Sequence, residues 1–308
     1  MAMTGVLRPG HAQLRVLDME ESVKFYTGVL GLVSMGSDAE GRRYFKTRAE
    51  RDHHSIVLRQ SDRAGMDFFG FKVLNQQALE DLDKKLQAFG VKTERIPAGE
   101  MLETGERVRF KVPTGHVIEL YAEKKNVGNA TGCTNPEMDV IDGPGICPIR
   151  LDHCLIYGGD IDGNRKLFSE VLGFTLVERV KLEDGTTDLA TWLTCGTKAH
   201  DIAMVRHSDD DKLHHVSFQV GSWEQVLRAA DILSKNRASI DIGPTRHGIT
   251  NGTTVYFFDP SGNRLETFSG GYDHYPDMEP ITWTWDEVGA GIFYHNRKLN
   301  DAFLTVVT

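Results

Sequence analysis

The chain has 308 residues, 40% of them hydrophobic and 26% charged, which suits a globular protein of two ordinary domains or one large one. Its net charge of −9 argues against nucleic acid as a partner, because nucleic acid selects basic surfaces. The sequence has no apolar run of 18 residues to span a membrane and no signal-peptide pattern, so we expect a cytoplasmic protein.

The first predicted unit is a strand followed by a helix near the N-terminus. The strand begins at His11, Asp18 is a typical helix N-cap, and apolar residues at helical spacing continue to Gly31. The same order of strand, turn, helix and terminating glycine recurs from Leu151 to Gly173. The chain therefore contains this unit twice.

The repeat continues beyond these first elements. The stretch from Met66 aligns with the stretch from Leu213, and the stretch from Phe110 aligns with that from Phe257. Each half reads as strand, helix and strands, twice over. This order predicts an α+β fold of two homologous domains, each of two βαβββ modules with a mixed sheet. The joint at residues 126–148 is rich in Gly, Asn, Pro and Asp.

This division predicts three segments. We expect an N-terminal domain at residues 1–145, a C-terminal domain at residues 146–271 and a tail at residues 272–308. The tail contains Trp283, Trp285 and further aromatic residues, so it is too apolar to stay free in solvent. We expect the tail to pack on a domain or on a neighbouring subunit.

One difference between the aligned halves bears on chemistry. Three aligned pairs show it: His11 and His153, Phe68 and His215, Glu119 and Glu266. The second half alone has two histidines and a carboxylate on three separate strands, which is the facial-triad ligand set of non-haem Fe(II). The same set also suits Mn, Zn or Ni, and a buried histidine with a backbone partner is the structural alternative. For Glu266 alone, the alternative is a structural carboxylate paired with Arg264.

The adjacent His214 and His215 compete for one place in this set. Alternation along a strand puts His214 with Val216 and Phe218 on an apolar face, and His215 with Ser217 on a polar one. A pocket lined by ligands favours the polar face, and so favours His215.

Three other groups in the second half have functional interpretations. His200 precedes a predicted strand, His247 lies on a loop where functional residues concentrate, and Tyr256 lies on a strand. The structural alternatives are a surface histidine at a strand edge, a solvated loop residue and a core tyrosine with a satisfied hydroxyl.

The segments RPGHAQLRVLDM, LHHVSF, TKAHD, IDIGPTRHG and VYFFDPSGNRLE carry a resemblance. Together they resemble the vicinal oxygen chelate superfamily, and within it the extradiol ring-cleaving dioxygenases of the catechol 2,3-dioxygenase (metapyrocatechase) family. The family signature is a histidine, then Tyr-x-x-Asp-Pro-x-Gly, then a closing glutamate. His247, Tyr256, Asp259-Pro260, Gly262 and Glu266 match it. The resemblance covers essentially the whole chain.

The resemblance implies an Fe(II) centre held by His153, His215 and Glu266. The centre belongs to a catalytic C-terminal domain whose sheet curves round a pocket, and the N-terminal domain is non-catalytic. The implied reaction is meta cleavage of catechol or substituted catechols by O2 to 2-hydroxymuconic semialdehyde, in aromatic degradation. The implied assembly is a homotetramer.

The resemblance also implies roles for the remaining candidates. His200 moves a proton to or from the reacting oxygen, and His247 and Tyr256 hydrogen-bond the substrate oxygens. Two alternatives remain at this stage: a glyoxalase-type isomerase with Zn or Ni, and a metal-free binding module of the antibiotic-sequestering type.

Overall fold

The computed structural model describes residues 5–141 and 143–308. Its strands are β1 Val6–Val16, β2 Val33–Ser37, β3 Arg43–Lys46, β4 Ile56–Gln60, β5 Gly65–Val73, β6 Thr93–Ile96, β7 Arg107–Lys111, β8 Val117–Tyr121, β9 Arg150–Gly158, β10 Thr175–Lys181, β11 Asp188–Thr194, β12 Ile202–Arg206, β13 Lys212–Gln219, β14 Ile240–Arg246, β15 Gly252–Phe258, β16 Arg264–Gly270 and β17 Ile281–Trp283. Its helices are α1 Met19–Lys24, α2 Gln76–Ala88, α3 Ile161–Glu170, α4 Trp223–Lys235, α5 Val288–Ile292 and α6 Asp301–Thr305. A π-helical turn at Phe25–Val29 extends α1, and short 3₁₀ turns lie at Ile249–Asn251 and Trp285–Glu287.

The strands form two mixed sheets. The first has the order β2-β3-β4-β1-β5-β8-β7-β6, and the second has the order β14-β15-β16-β13-β9-β12-β11-β10-β17. Taken from its other end, the second sheet repeats the first strand by strand and adds β17. In each sheet an antiparallel pair, β1–β5 or β9–β13, joins two modules whose first strand is parallel to their last. The predicted α+β fold is confirmed.

The strand registers match the two halves position by position. In the first half, Gly70 pairs with a histidine of β1 and a glutamate of β8. In the second half, Ser217 pairs with a histidine of β9 and a glutamate of β16. Phe68 lies two residues before Gly70, and His215 lies two residues before Ser217. The equivalent positions are therefore His11 and His153, Phe68 and His215, Glu119 and Glu266.

Local signals begin and end the first helix of each half. The carboxylates of Asp18 and Asp160 accept a backbone N–H three residues further on, at 2.9 and 2.8 Å. Gly31 and Gly173 follow the helices with φ of 78° and 75°, the left-handed conformation that glycine adopts without steric cost. Among the helices described, none has the length and apolar character that crossing a membrane requires.

One hydrophobic core joins the two halves. Phe71 of β5 packs edge-on against Phe168 and Phe174 of the second half, with ring centroids 6.1 and 5.3 Å apart. The turn before β16 also reaches the first half, where Asn263 Oδ1 accepts the Gly65 N–H at 2.7 Å. The candidate site residues therefore lie in the second sheet, which packs against the first half of the chain.

The tail packs on the second sheet. β17 pairs in parallel with β10, and Trp283 Nε1 donates to the buried carboxylate of Glu178 at 2.7 Å. Phe303 of α6 is only 5% exposed and packs against Tyr256, with ring centroids 4.8 Å apart. The tail thus reaches the part of the sheet that carries the candidate site.

Candidate active site

Three adjacent strands carry the predicted metal ligands. His153 lies on β9, His215 on β13 and Glu266 on β16, and these strands are neighbours in the second sheet. Their side chains leave the sheet on the same face, and none is more than 2% exposed. The structure therefore brings together the three residues that the repeat singled out.

The donor atoms of these residues converge. His153 Nε2 lies 2.9 Å and His215 Nε2 3.4 Å from Glu266 Oε2, and the two ring nitrogens are 3.3 Å apart. Ligands about 2.1 Å from a metal are separated by roughly 3.0 Å along an octahedral edge and roughly 3.4 Å along a tetrahedral one. The spacing fits a metal ion in either geometry.

The surroundings of Glu266 support a cation at this point. Its Oε1 accepts a hydrogen bond from Thr254 Oγ1 at 2.5 Å, whereas its buried Oε2 accepts none from the described residues. The contact of Oε2 with His153 lacks hydrogen-bond alignment. A buried carboxylate oxygen without a donor is rare and costly. Burial raises the pKa of Glu266, but the imidazoles around it outweigh burial and hold the pKa well below its usual value.

Asp152, which is paired with Lys198, orients the ring of His153. Nδ1 lies 2.8 Å from Asp152 Oδ2, which accepts the ring N–H and leaves Nε2 free for a metal. Lys198 Nζ lies 3.1 Å from both Asp152 and Asp201. Burial lowers the pKa of His153, but the carboxylates of Asp152 and Glu266 outweigh burial, and the net shift is upward.

His214 lies beside His215 rather than on the opposite face. The pairing of β13 with β9 shifts register between Leu213 and His215, so a β-bulge interrupts the alternation. The His214 ring stacks on Tyr157 with centroids 5.0 Å apart, and its Nδ1 lies 2.7 Å from His215 Nδ1. The prediction that His214 faces the apolar core was wrong, because alternation fails at a bulge. The first sheet has the same shift at Asp67.

His200 packs against the ring of His153. Their ring centroids are 3.9 Å apart, and Phe268 packs edge-on against His200 at 5.9 Å. His200 Nδ1 has no partner among the residues that the structure describes. Burial, and then the charge of His153, lower the pKa of His200 well below its usual value. His200 is therefore a neutral imidazole with a free nitrogen.

His247 and Tyr256 form a hydrogen-bonded pair. His247 Nε2 lies 2.8 Å from the Tyr256 hydroxyl, and its Nδ1 contacts the carbonyl oxygen of Ile292. A carbonyl only accepts, so neutral His247 has its proton on Nδ1 and accepts from Tyr256 at Nε2. Burial, reinforced by the charge of Glu266, raises the pKa of Tyr256 well above its usual value. Tyr256 therefore stays a phenol.

Apolar side chains surround these polar groups. They come from the second sheet, the turn before β15 and the tail: Leu155, Trp192, Ile249, Phe268, Ile292 and Phe303. Such walls suit a flat apolar ring that presents polar atoms at one edge.

Comparison with known proteins identifies the family. The model for the catechol 2,3-dioxygenase-like N-terminal domain matches residues 66–125, and that for the glyoxalase/bleomycin resistance protein/dioxygenase superfamily matches residues 150–267. The chain is 50% identical over 305 residues to a metapyrocatechase of Pseudomonas sp. (strain CF600), covering 99% of each sequence. The chain belongs to the catechol 2,3-dioxygenase family. It is an extradiol dioxygenase of the vicinal oxygen chelate superfamily.

Solved structures of extradiol dioxygenases have the same fold. The 2,3-dioxygenase LapB from Pseudomonas sp. KL28 superposes with a TM-score of 0.91 at 60% identity, covering 92% of this chain and 99% of that one. Homoprotocatechuate 2,3-dioxygenase from Brevibacterium fuscum, in complex with 3,4-dihydroxyphenylacetate, superposes with a TM-score of 0.88 at 26% identity, covering 99% and 93%. A relative from Geobacillus genomosp. 3, 29% identical over 94% of each sequence, is named a manganese-dependent 2,3-dihydroxybiphenyl 1,2-dioxygenase. Membership of the family therefore does not fix the ion.

Three groups that contact the site histidines or Glu266 in this extradiol dioxygenase were not predicted from the sequence. Asp152 precedes His153 directly, and a charged residue inside a buried strand was the available signal. Thr254 shares a strand face with Tyr256, which was a weaker signal for its contact with Glu266. The carbonyl of Phe303 lies 2.8 Å from His214 Nε2. No sequence signal predicts that contact, because every residue has a carbonyl.

Proposed function

We propose that this extradiol dioxygenase performs meta cleavage of catechol or substituted catechols with O2, using Fe(II) held by His153, His215 and Glu266. The observation that carries the proposal is the convergence of three buried donor atoms, one of them a carboxylate oxygen that accepts no hydrogen bond from the part of the chain that the structure describes. Two imidazoles and one carboxylate on one face are the ligand set of non-haem Fe(II) oxygenases and leave positions open for substrate and oxygen. The proposed product is 2-hydroxymuconic semialdehyde, which contains every atom of catechol and O2.

His247 and Tyr256 are proposed to hold the substrate oxygens. When bound, Fe(II) supplies a common site for catechol and O2 and a route for electrons between them. Tyr256, kept as a phenol, hydrogen-bonds a catechol oxygen as negative charge develops on it. In the absence of substrate, His247 Nε2 accepts a hydrogen bond from the Tyr256 hydroxyl, and its Nδ1 donates to the Ile292 carbonyl. When the Tyr256 hydroxyl turns from Nε2 to donate to a catechol oxygen, Nε2 of His247 becomes free to accept a proton from the catechol.

His200 is proposed to transfer a proton on the oxygen side of the pocket. It is neutral, its Nδ1 has no partner among the described residues, and its ring packs against that of His153. A neutral imidazole can take a proton from one reacting oxygen and return it to another. Trp192 and Phe268 border the same space and exclude water from it.

The two halves are proposed to divide the work. Residues 146–271 form the catalytic metal-binding domain, residues 1–145 are non-catalytic, and residues 272–308 cover the pocket. Phe68 at the place of a ligand supports the non-catalytic role of the first half. We also propose a homotetramer, as the family resemblance implies, and a cytoplasmic location, as expected from the sequence. Light scattering on the purified protein tests the assembly.

The decisive experiment loads metal-free protein anaerobically with Fe(II), Mn(II) or Zn(II), one ion at a time, and then adds catechol and O2. We expect the yellow ring-fission product with Fe(II), with a mass equal to catechol plus O2. Oxygen-18 gas should label both added oxygens. Reaction with Mn(II) alone would move the metal assignment to manganese, and no product with any ion would overturn the proposed reaction.

A further inference from the structure

His214 connects a proposed metal ligand to the tail. Its Nδ1 lies 2.7 Å from Nδ1 of His215, and its Nε2 lies 2.8 Å from the carbonyl oxygen of Phe303 in α6. The His214 ring is 1% exposed and packs between Tyr157 and the Phe303 ring, with centroids 5.0 and 4.7 Å away. Each nitrogen of the buried His214 ring therefore has one polar partner.

The Phe303 carbonyl, His214 and His215 form a row of hydrogen-bonded groups. The carbonyl determines the position of each ring proton along this row. The Phe303 oxygen can only accept, so Nε2 of His214 donates. A neutral His214 then has a bare Nδ1, which accepts the Nδ1–H of His215. His215 is left with its lone pair on Nε2, the nitrogen 3.4 Å from Glu266 Oε2.

Further hydrogen bonds hold the tail segment where this contact needs it. Leu213 and Thr308 exchange two backbone hydrogen bonds of 2.8 and 3.1 Å, directly before His214. Arg264 Nη1 donates to the Val306 carbonyl at 2.7 Å, and its guanidinium lies 5.1 Å from the Phe303 ring. The tail is thus attached to the two strands that carry His215 and Glu266.

The first half lacks this arrangement. The equivalent of His214 at the bulge is Asp67, which accepts hydrogen bonds from Gln13, Arg15 and Arg59. The next residue, Phe68, has no ring nitrogen, so there is no proton whose position a neighbour could determine. Among the described residues, the first half also has an adjacent imidazole pair, His53 and His54 with their Nδ1 atoms 3.0 Å apart, but that pair lies before β4 and not at the bulge. The bulge alone therefore does not account for His214 beside His215.

We propose that His214 is a positioning residue, through which the Phe303 carbonyl keeps the proton of His215 on Nδ1 and so keeps Nε2 ready to bind metal. This inference rests on the proposed metal set. It extends the site to residues 301–308, none of which is a ligand. The tail therefore controls the affinity of the centre as well as the shape of the pocket.

Metal release tests the inference without relying on turnover. Wild type and variants are loaded with Fe(II) or Co(II), and the rate of loss to a chelator is recorded. His214→Leu should lose metal roughly 10–100-fold faster, the range for residues that orient a ligand. His214→Gln should restore retention to within a few-fold, because a carboxamide also offers one acceptor and one donor. Equal release from wild type and His214→Leu would overturn the inference.

Phe303→Leu is the matched control, because it removes the ring and keeps the carbonyl. It should retain metal nearly as wild type does. If Phe303→Leu released metal as fast as His214→Leu, ring packing would be the cause, and the proposed positioning of the His215 proton through His214 would be refuted. Thermal unfolding of each metal-free variant checks that the fold is intact.

A spectroscopic measurement determines which nitrogen of His215 carries the proton. In metal-free protein with nitrogen-15 histidine, the His215 ring should show a protonated Nδ1 in wild type and His214→Gln, and a tautomer mixture in His214→Leu. The same tautomer mixture in wild type would contradict the proposed positioning of the His215 proton by His214. Failure of wild type to bind any metal would instead refute the proposed function, so the two failures are distinguishable.

Discussion

The two halves of this chain have one fold and opposite electrostatics at equivalent places. Around Glu266 the neighbouring strand β15 offers neutral donors, Thr254 and Tyr256. Around Glu119 the equivalent positions on β7 are Arg107 and Arg109, which lie 3.1 and 2.5 Å from its carboxylate. The first half therefore neutralises its buried carboxylate with permanent cations of its own. In the second half that charge is left for the proposed metal ion.

The histidines of the two halves also carry their protons on opposite nitrogens. His153 donates from Nδ1 to Asp152, which frees Nε2. His11 has its Nε2 3.1 Å from Glu119, whose pKa is lowered to about 2, so a neutral His11 donates from Nε2. Lys124 Nζ lies 3.0 Å from the remaining nitrogen. A shared fold thus supports a ligand in one half and a structural ion-pair network in the other.

The largest expected effect separates the two glutamates. Glu266→Ala should abolish metal retention and lower ring cleavage by more than about a hundredfold, because even residues that only orient a ligand contribute 10–100-fold. Glu119→Ala should keep the metal and instead lose about 3–5 kcal/mol of stability, because Arg107 loses its buried partner. Metal analysis and urea unfolding of both variants measure the contrast. Metal loss from Glu119→Ala would remove the distinction between the halves.

The second contrast compares His200 with His54, each two residues before the equivalent strands β12 and β4. His200→Asn should bind metal and catechol but turn over roughly a hundredfold more slowly, the lower end of what positioned proton transfer contributes. His54→Asn should leave turnover unchanged, because its ring contacts His53 and Met101 instead of the pocket. Single-turnover kinetics with catechol distinguish binding from chemistry. Unchanged turnover in His200→Asn would remove it from the mechanism.

The third contrast is the acid sensitivity of the first half. Burial, and then Lys124, lower the pKa of His11 to about 3, so folded His11 stays neutral where the unfolded residue binds a proton. The unfolded state therefore gains protons below about pH 6.5, and stability falls as the pH falls toward 3. The loss is on the order of 3 kcal/mol between pH 6.5 and 4. Unfolding free energies of wild type and His11→Asn across this range test it, since the variant should have a flatter profile.

The smallest expected effect is an absence of change. Phe68→His completes the ligand set of the first half in sequence, yet metal content should stay at that of wild type. Arg107 and Arg109 still neutralise Glu119, and His11 still directs a proton toward it. Metal analysis of the purified variant measures this. An additional bound ion would show that the missing histidine alone kept metal out.

Much of the fold and of the candidate set followed from sequence because both depend on local patterns that repeat. The strand–helix–strands order occurs four times, and the aligned pairs exposed Phe68 at the place of His215. The bulge at His214 did not follow, because alternation assumes an uninterrupted ladder and the extra residue is set by pairing with β9. The replacement of Thr254 and Tyr256 by Arg107 and Arg109 was visible in the aligned strands, but its meaning required the distances to Glu119.

The sequence by itself determined the α+β repeat and the residue types at the three ligand positions, since periodicity and spacing are properties of the chain. Only the tertiary structure decided which nitrogen of each histidine is free. That choice depends on partners distant in sequence, namely Lys198 behind Asp152 and the Phe303 carbonyl behind His214. A hydrogen bond to a carbonyl has no residue-type signature, so it becomes apparent only when the tail is folded onto β13.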